Sequence, residues 1–312
     1  MSFTAEVRDE LARCEPECEY CDLATLAALT RVCGTLTYTG PGHYRLQVAT
    51  ETGAVARTMI GLTHKILKLE TEFTVRKSVL HRTRNYLIVL PDQPGLEKAL
   101  VLLGVLDRSG GLVYGIPQHI VGRPCCRRAY VRGTLVAGGF VADPRGDFHL
   151  EIAVQGEEFA EALVQLIGEL GVRARVNPRR GSYAVYVKSA DDICRLLETL
   201  GAERALADIQ SARAVKSVKN DVNRRVNAEL ANQSRSADAA QHQLDLIEQV
   251  EELGLAGSLS PALGEFCELR RANPELSLRD LGELMDPPAS KSALYHRVLR
   301  LEKLVEEARA RA

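Results

Sequence analysis

Two stretches of this chain repeat one another about one hundred residues apart, and any fold must accommodate that duplication. Tyr44-Arg-Leu-Gln-Val-Ala matches Phe148-His-Leu-Glu-Ile-Ala, which sets Tyr44, Leu46 and Val48 against Phe148, Leu150 and Ile152 at an offset of 104. Both alternate with period 2, the pattern of a half-buried strand. Asn85-Tyr-Leu-Ile-Val-Leu matches Ser182-Tyr-Ala-Val-Tyr-Val at an offset of 97. An apolar stretch ending in Gly precedes each unit, Leu26–Gly34 and Val131–Gly139. Helical patterns separate the strand pairs at Ala54–Leu69 and Glu157–Leu170, and follow them at Gly95–Leu106 and Asp191–Leu200, with Asp191 placed to cap the last. Each half reads αββαββα, so the fold class is α+β.

The carboxyl-terminal segment has another grammar. Pro261–Ala272 reads as a helix ended by Asn273-Pro274. Ser277-Leu-Arg-Asp280 forms a capping-box pattern that opens a short helix to Met285, which Asp286-Pro-Pro-Ala289 breaks. Ser290 is placed to cap a longer helix with Leu294, Val298, Leu301, Leu304 and Val305 on one stripe. Helix, short helix, turn and longer helix is the helix-turn-helix order, although a Pro-rich turn is not the usual compact one. In that motif the start of the second helix meets base edges, which singles out Ser290, Lys291, Ser292, Tyr295, His296 and Arg297, with Arg300 on a neighbouring face. The expected domains are an amino-terminal helix or extension (1–22), a duplicated domain (23–202, halves 23–107 and 124–202), a helical connector (203–257) and a helix-turn-helix domain (258–312).

Charge sharpens this division. Forty Lys and Arg against 41 Asp and Glu give a net charge of −1, which excludes a uniformly basic coat for nucleic acid. The balance is a cancellation: 287–301 has three bases and no acid, whereas 244–286 has ten acids and three bases. An acidic back facing away from DNA and an acidic surface for a protein partner both fit this segregation. Further basic stretches lie at 57–84, 173–188 and 211–236. They make Arg179, Arg180, Lys216, Lys219, Arg224 and Arg225 auxiliary DNA-contact candidates. Val215, Val218 and Val222 give the connector a face that can pack, and its many amides suit either DNA phosphates or buried backbone at a junction. With no Trp and 5% aromatics, a stacking platform for single strands is disfavoured.

Eight Cys are too sparse for a disulfide-stapled mini-fold. Cys14, Cys18 and Cys21 have metal-like spacing but no fourth ligand beside them, although Cys33, His43 or His64 stands within reach in sequence. Cys125 and Cys126 are adjacent, an uncommon arrangement for one metal. The reading is reduced thiols, with no metal and no cofactor. Apolar stretches such as Ala99–Leu106 are far below the roughly 20 residues of a membrane span, and Met1–Leu11 lacks a signal-peptide pattern. The expected location is cytoplasmic, at the nucleoid, with no membrane or small-molecule partner.

A duplicated unit opened by a helix ending in Gly resembles the LAGLIDADG homing-endonuclease fold. Leu26-Ala-Ala-Leu-Thr-Arg-Val-Cys-Gly34 and Val131-Arg-Gly-Thr-Leu-Val-Ala-Gly-Gly139 keep the small and apolar positions of that nonapeptide. The resemblance puts metal-binding acids just before the last Gly, where this chain has Cys33 and Gly138. It therefore implies a retained scaffold without nuclease chemistry: no catalytic residue and no enzyme. At the level of the whole chain, Cys125–Gly139, Phe148–Ile152, Val226–Asn232 and Ser277–Leu301 are similar to the WhiA family of bacterial regulators. That resemblance implies a degenerate LAGLIDADG-like domain joined to a helix-turn-helix resembling sigma-factor region four. It also implies double-stranded promoter DNA and RNA polymerase sigma factor as partners, with roles in sporulation, cell division and chromosome segregation. A cell-division scaffold without promoter activation, and a residual structure-specific nuclease, are the alternatives.

Overall fold

The helix that opens each repeat is buried through its middle, with its charged residues kept to the margins. Five consecutive residues, Leu26 to Thr30, are buried in α2 (Glu19–Cys33), and α6 (Pro124–Gly138) is buried from Ala129 to Val131 and from Gly133 to Ala137. A helix buried over so many consecutive positions belongs inside a core, and these two occupy the centre of the first of two compact units, 1–215 and 216–312. The computed structural model describes residues 2–77 and 84–310.

Strands follow each central helix directly. The first repeat runs from α2 through β1 (Gly34–Gly40), β2 (His43–Thr50), α3 (Gly53–Leu62), β3 (Glu72–Lys77) and β4 (Arg84–Leu90) to α4 (Leu96–Leu102). The second, beyond a short α5 (Gln118–Val121), runs from α6 through β5 (Gly139–Val141), β6 (Leu150–Val154), α7 (Glu157–Glu169), β7 (Arg175–Arg179) and β8 (Ser182–Val187) to α8 (Ala190–Leu200). The strand orders are equivalent, β1-β2-β4-β3 and β5-β6-β8-β7, with every neighbouring pair antiparallel. Leu46 pairs with Leu90 and Leu150 with Val187, so the repeats of sequence are repeats of register. Tyr44, Leu46, Val48 and Thr50 point into the core while Arg45 and Ala49 face out, as period 2 requires.

The duplicated αββαββα architecture is thus the one expected, with local differences. Ser189, not Asp191, caps α8, and its hydroxyl accepts from the Asp192 N–H at 3.3 Å; Asp191 falls in the first turn. The 54–69 helix extends beyond α3 through a wider π-helical turn to Leu67, then stops at Lys68, whose φ is +56°. The 95–106 helix is shorter: after α4 the Val105 N–H turns back to Leu100 O at 2.9 Å, beside Gly104 at φ +67°. Part of the basic 57–84 stretch, residues 78–83, lies outside the described residues.

An amino-terminal helix, α1 (Phe3–Leu11), buries Val7 and Leu11 against the first unit. Its Thr4 hydroxyl donates to Val141 O at 2.8 Å and accepts from Val141 N–H at 3.0 Å. The connector is a single 50-residue helix, α9 (Glu203–Glu252). Its start joins the first core through Ala205 and Ile209, and its end joins the second through Leu246, Ile247 and Val250. The Glu10 carboxylate accepts from the Arg204 and Ala205 N–H groups at 2.7 and 3.1 Å, a negative charge at the positive end of α9. The valines whose spacing offers a packing face, Val215, Val218 and Val222, are all more than half exposed. Among the described residues no helix is long and apolar enough to cross a membrane.

Close approach of α2 and α6 depends on absent side chains. A Cβ at Gly133 would sit 2.8 Å from Ala28 Cβ and 3.2 Å from Thr25 O. Gly133→Val should therefore push the helices apart and destabilise the first unit by about 2–3 kcal/mol, as over-packed cores do. Urea unfolding followed by circular dichroism measures this, and an unchanged midpoint would disprove the tight contact.

Candidate nucleic-acid interface

The second unit is built around a cluster in which Phe266, Leu281, Leu294, Val298 and Leu301 meet the end of α9. Its own helices are α10 (Pro261–Ala272), α11 (Leu278–Glu283) and α12 (Lys291–Arg309). Arg270 is only 1% exposed. Its Nε donates to Gln243 Oε1 at 2.9 Å, and its Nη1 donates to Leu276 O at 2.7 Å and Asn273 O at 3.1 Å. One guanidinium thus ties α9 to the loop that delivers α11. Ser277 caps α11 as the sequence indicated, accepting from Asp280 N–H at 3.3 Å and donating to its carboxylate at 2.8 Å. The turn then folds against Gly282, whose carbonyl accepts from Ala289 N–H at 2.9 Å; a Cβ there would lie 2.2 Å from Ala289 O.

These contacts aim α12. Its Leu294, Val298, Leu301 and Val305 face inward. Lys291, Ser292, Tyr295, His296 and Arg300 lie on the exposed surface. The Ser290 hydroxyl accepts from Ala293 N–H at 3.2 Å and so serves as the helix cap. Arg297 differs from its neighbours. It is half-buried, donates from Nη1 to Met285 Sδ at 2.8 Å, and stands 4.0 Å from the Glu265 carboxylate. It braces α12 against α10 and the end of α11 rather than pointing into solvent. A groove lined by Asn232, Arg235, Ser236, Ser277, Arg279 and Lys291 extends the polar surface. Arg235 and Arg279 did not emerge as site residues from sequence. Arg279 lies within the acidic 244–286 stretch, whose average charge hides it.

The auxiliary basic residues fall in two places. Arg179, at the end of β7, donates to Glu151 at 2.5 Å, and the same carboxylate lies 2.9 Å from His149 Nε2. Arg180 is exposed in the β7–β8 turn. Lys216, Lys219, Arg224 and Arg225 all lie on α9, where Arg224 pairs with Asp221 at 2.5 Å.

At the carboxyl ends of α2 and α6, Cys33 Sγ lies 3.9 Å from Ala137 O. Burial pushes the Cys33 thiol up to about 11, against the opposing pull of Arg8. A Cβ at Gly138 would come within 2.7 Å of Val32 Cγ1 and 2.8 Å of Ala153 O, so no side chain fits there. Neither position can offer a carboxylate. Arg8 of α1 fills the neighbourhood, donating to Ala137 O and Thr52 Oγ1, each at 3.3 Å. A guanidinium at carbonyl-rich helix ends is electrostatically favourable.

The amino ends of the same helices carry thiols. Cys18 stands at the N-cap position of α2 without a side-chain cap bond, Cys21 lies in its first turn, and Cys125 and Cys126 follow Pro124 at the start of α6. Cys125 donates to Cys18 Sγ at 3.4 Å, while Cys21 and Cys126 lie 3.5 and 3.8 Å from that sulfur. Burial opposes ionisation of Cys18, but hydrogen bonds from Cys125, Cys21, the Tyr20 backbone and Cys126 bring its thiol down to about 6. Burial pushes Cys21 up to about 11 and also raises Cys126. Cys14 is elsewhere, donating weakly to Leu200 O and Gly201 O at 3.7 and 3.6 Å.

A duplicated LAGLIDADG-like scaffold followed by a helix-turn-helix unit defines a class of helix-turn-helix DNA-binding proteins. Three family models match in succession: the WhiA N-terminal LAGLIDADG-like domain over residues 19–106, the WhiA LAGLIDADG-like domain over 127–219 and the WhiA C-terminal HTH domain over 222–305. The chain is 39% identical to the probable cell division protein WhiA of Heliobacterium modesticaldum over 308 residues, covering 98% of this chain and 96% of that protein. It is also 39% identical to the protein of the same name from Symbiobacterium thermophilum, covering 98% of each. In structure it is similar to full-length DUF199/WhiA from Thermotoga maritima, with a TM-score of 0.59, 25% identity, and coverage of 98% and 99%. The chain belongs to the WhiA family.

Two outcomes test this geometry. Arg270→Met should lower the stability of the second unit by about 2–4 kcal/mol, because buried carbonyls lose their donors; a full-chain urea melt with unchanged transitions would refute it. Native Cys33 should react with iodoacetamide at pH 8 about 100-fold more slowly than an unperturbed thiol, because the thiolate is the nucleophile. Site-resolved mass spectrometry reads that ratio.

Proposed function

We propose that this protein is a sequence-specific DNA-binding transcription regulator of cell division genes, acting within the wider programme of sporulation and chromosome segregation. It reads double-stranded promoter DNA with the first turns of α12. The observation that carries this reading is the two-sidedness of that helix: Leu294, Val298 and Leu301 fix it to the second core, while Lys291, Ser292, Tyr295, His296 and Arg300 are presented outward. A helix anchored on one side and polar on the other is the form in which this motif enters a major groove. The names of the relatives supply the cell-division context.

The acidic 244–286 surface is the site for RNA polymerase sigma factor in this proposal. Arg179, Arg180, Lys216, Lys219, Arg224 and Arg225 contribute phosphate contacts rather than base readout. Ser290 acts by setting the start of the helix, and Arg297 by holding its angle. The protein works at the nucleoid without catalysis of its own.

The test is binding of the full chain to promoter fragments recovered by genome-wide capture, against random duplex. Arg300→Ala and Lys291→Ala should each weaken specific binding by about 1–3 kcal/mol, the cost of a lost base contact. Arg297→Ala should lower thermal stability and affinity together, as removal of a brace does. Equal losses on specific and random DNA for all three variants would refute readout by α12. Unchanged sigma binding after charge reversal at Glu265, Glu268 and Glu275 would remove the sigma assignment alone.

A further inference from the structure

The sequence groups Cys14 with Cys18 and Cys21, but the fold exchanges Cys14 for a pair from the other repeat. Cys18, Cys21, Cys125 and Cys126 offer four sulfurs that all lie within 4.8 Å of one another. Three of the separations are 3.4, 3.5 and 3.8 Å. A tetrahedral zinc with metal–sulfur bonds of about 2.3 Å sets its sulfurs about 3.8 Å apart. A disulfide would require a separation of about 2.05 Å. An iron–sulfur cluster spreads its thiolates over a larger inorganic core, wider than this group allows.

We propose that these four cysteines form a structural zinc site joining the two repeats. The adjacent pair at 125–126 is no obstacle. Both residues lie in the first turn of α6, where neighbouring side chains can converge on a ligand beyond the helix end. Cys18 and Cys21 present the same kind of terminus from α2. The two helix starts supply positive dipole ends to the thiolates. Four thiolates and one divalent ion leave two negative charges. Arg123, within the field of Cys18 and 4.1 Å over the Tyr20 ring, offsets one. Arg128, held by Glu17 and within the field of Cys125 and Cys21, offsets part of the other.

Binding displaces a proton from each thiol that is protonated at the outset, and the four thiolates donate their electron pairs to the metal; no oxidant or reductant enters. The soft tetrathiolate set selects zinc over magnesium or calcium, so this is unrelated to the lost nuclease chemistry. The ion would tie the loop before α2 to the start of α6, more than one hundred residues away in sequence.

The experiment uses the full chain purified under reducing conditions, with elemental analysis and a cobalt titration of chelator-treated protein. The expected result is one zinc per chain as isolated. One cobalt should bind with the absorption of a tetrahedral four-thiolate site and be displaced by zinc. Cys125→Ser should lose the four-thiolate spectrum, and Cys14→Ser should keep it. Should Cys125→Ser fail to fold, the wild-type charge-transfer intensity still counts the thiolates. Absence of cobalt binding by the wild type, a spectrum of fewer than four thiolates, or a disulfide among these cysteines in the reduced preparation would overturn the proposal.

Discussion

Close contact between α2 and α6 is the constraint on which the first unit depends. Gly133 lets one helix lie against Ala28 of the other, and each helix passes directly into the first strand of its own sheet. The distance between the helices therefore sets the distance between two four-stranded sheets. With Leu26–Thr30 and Gly133–Ala137 buried on successive positions, neither helix has an alternative surface location, so burial and duplication enforce each other.

The helix ends divide the remaining chemistry. At the carboxyl ends, Cys33 is a protonated thiol, Gly138 has no room for a side chain, and Arg8 accepts the field of the carbonyls. At the amino ends, thiols gather and one is drawn toward ionisation. The sign of the helix dipole favours both placements: a fixed cation at the carboxyl ends, and the one thiol drawn toward ionisation at the amino ends.

The sheets were legible because strand alternation is local and occurs twice. Tyr44, Leu46 and Val48 announce β2 without knowledge of anything distant. The cap of α8 was misplaced for an equally local reason. Ser189 and Asp191 are both good capping types two residues apart, and only backbone geometry chooses between them. The surface of α12 was legible from its apolar stripe, but the inward turn of Arg297 was not, because Glu265 and Met285 lie on other elements. The thiol group was misgrouped because spacing along the chain cannot reveal that Cys14 turns toward Leu200 while Cys125 arrives beside Cys18. Long-range partners were missed wherever the decisive neighbour lay in the other repeat or on another helix.

Arg8 has a further consequence. A cation that diffuses onto a protein has a dissociation constant, and its occupancy follows the composition of the surrounding solution. A guanidinium on α1 is delivered by folding itself, because Val7 and Leu11 bury the same helix against the core. Its effective concentration is set by the chain. The charge at the carboxyl ends of the two central helices is thereby held constant whether divalent ions in the medium are scarce or plentiful.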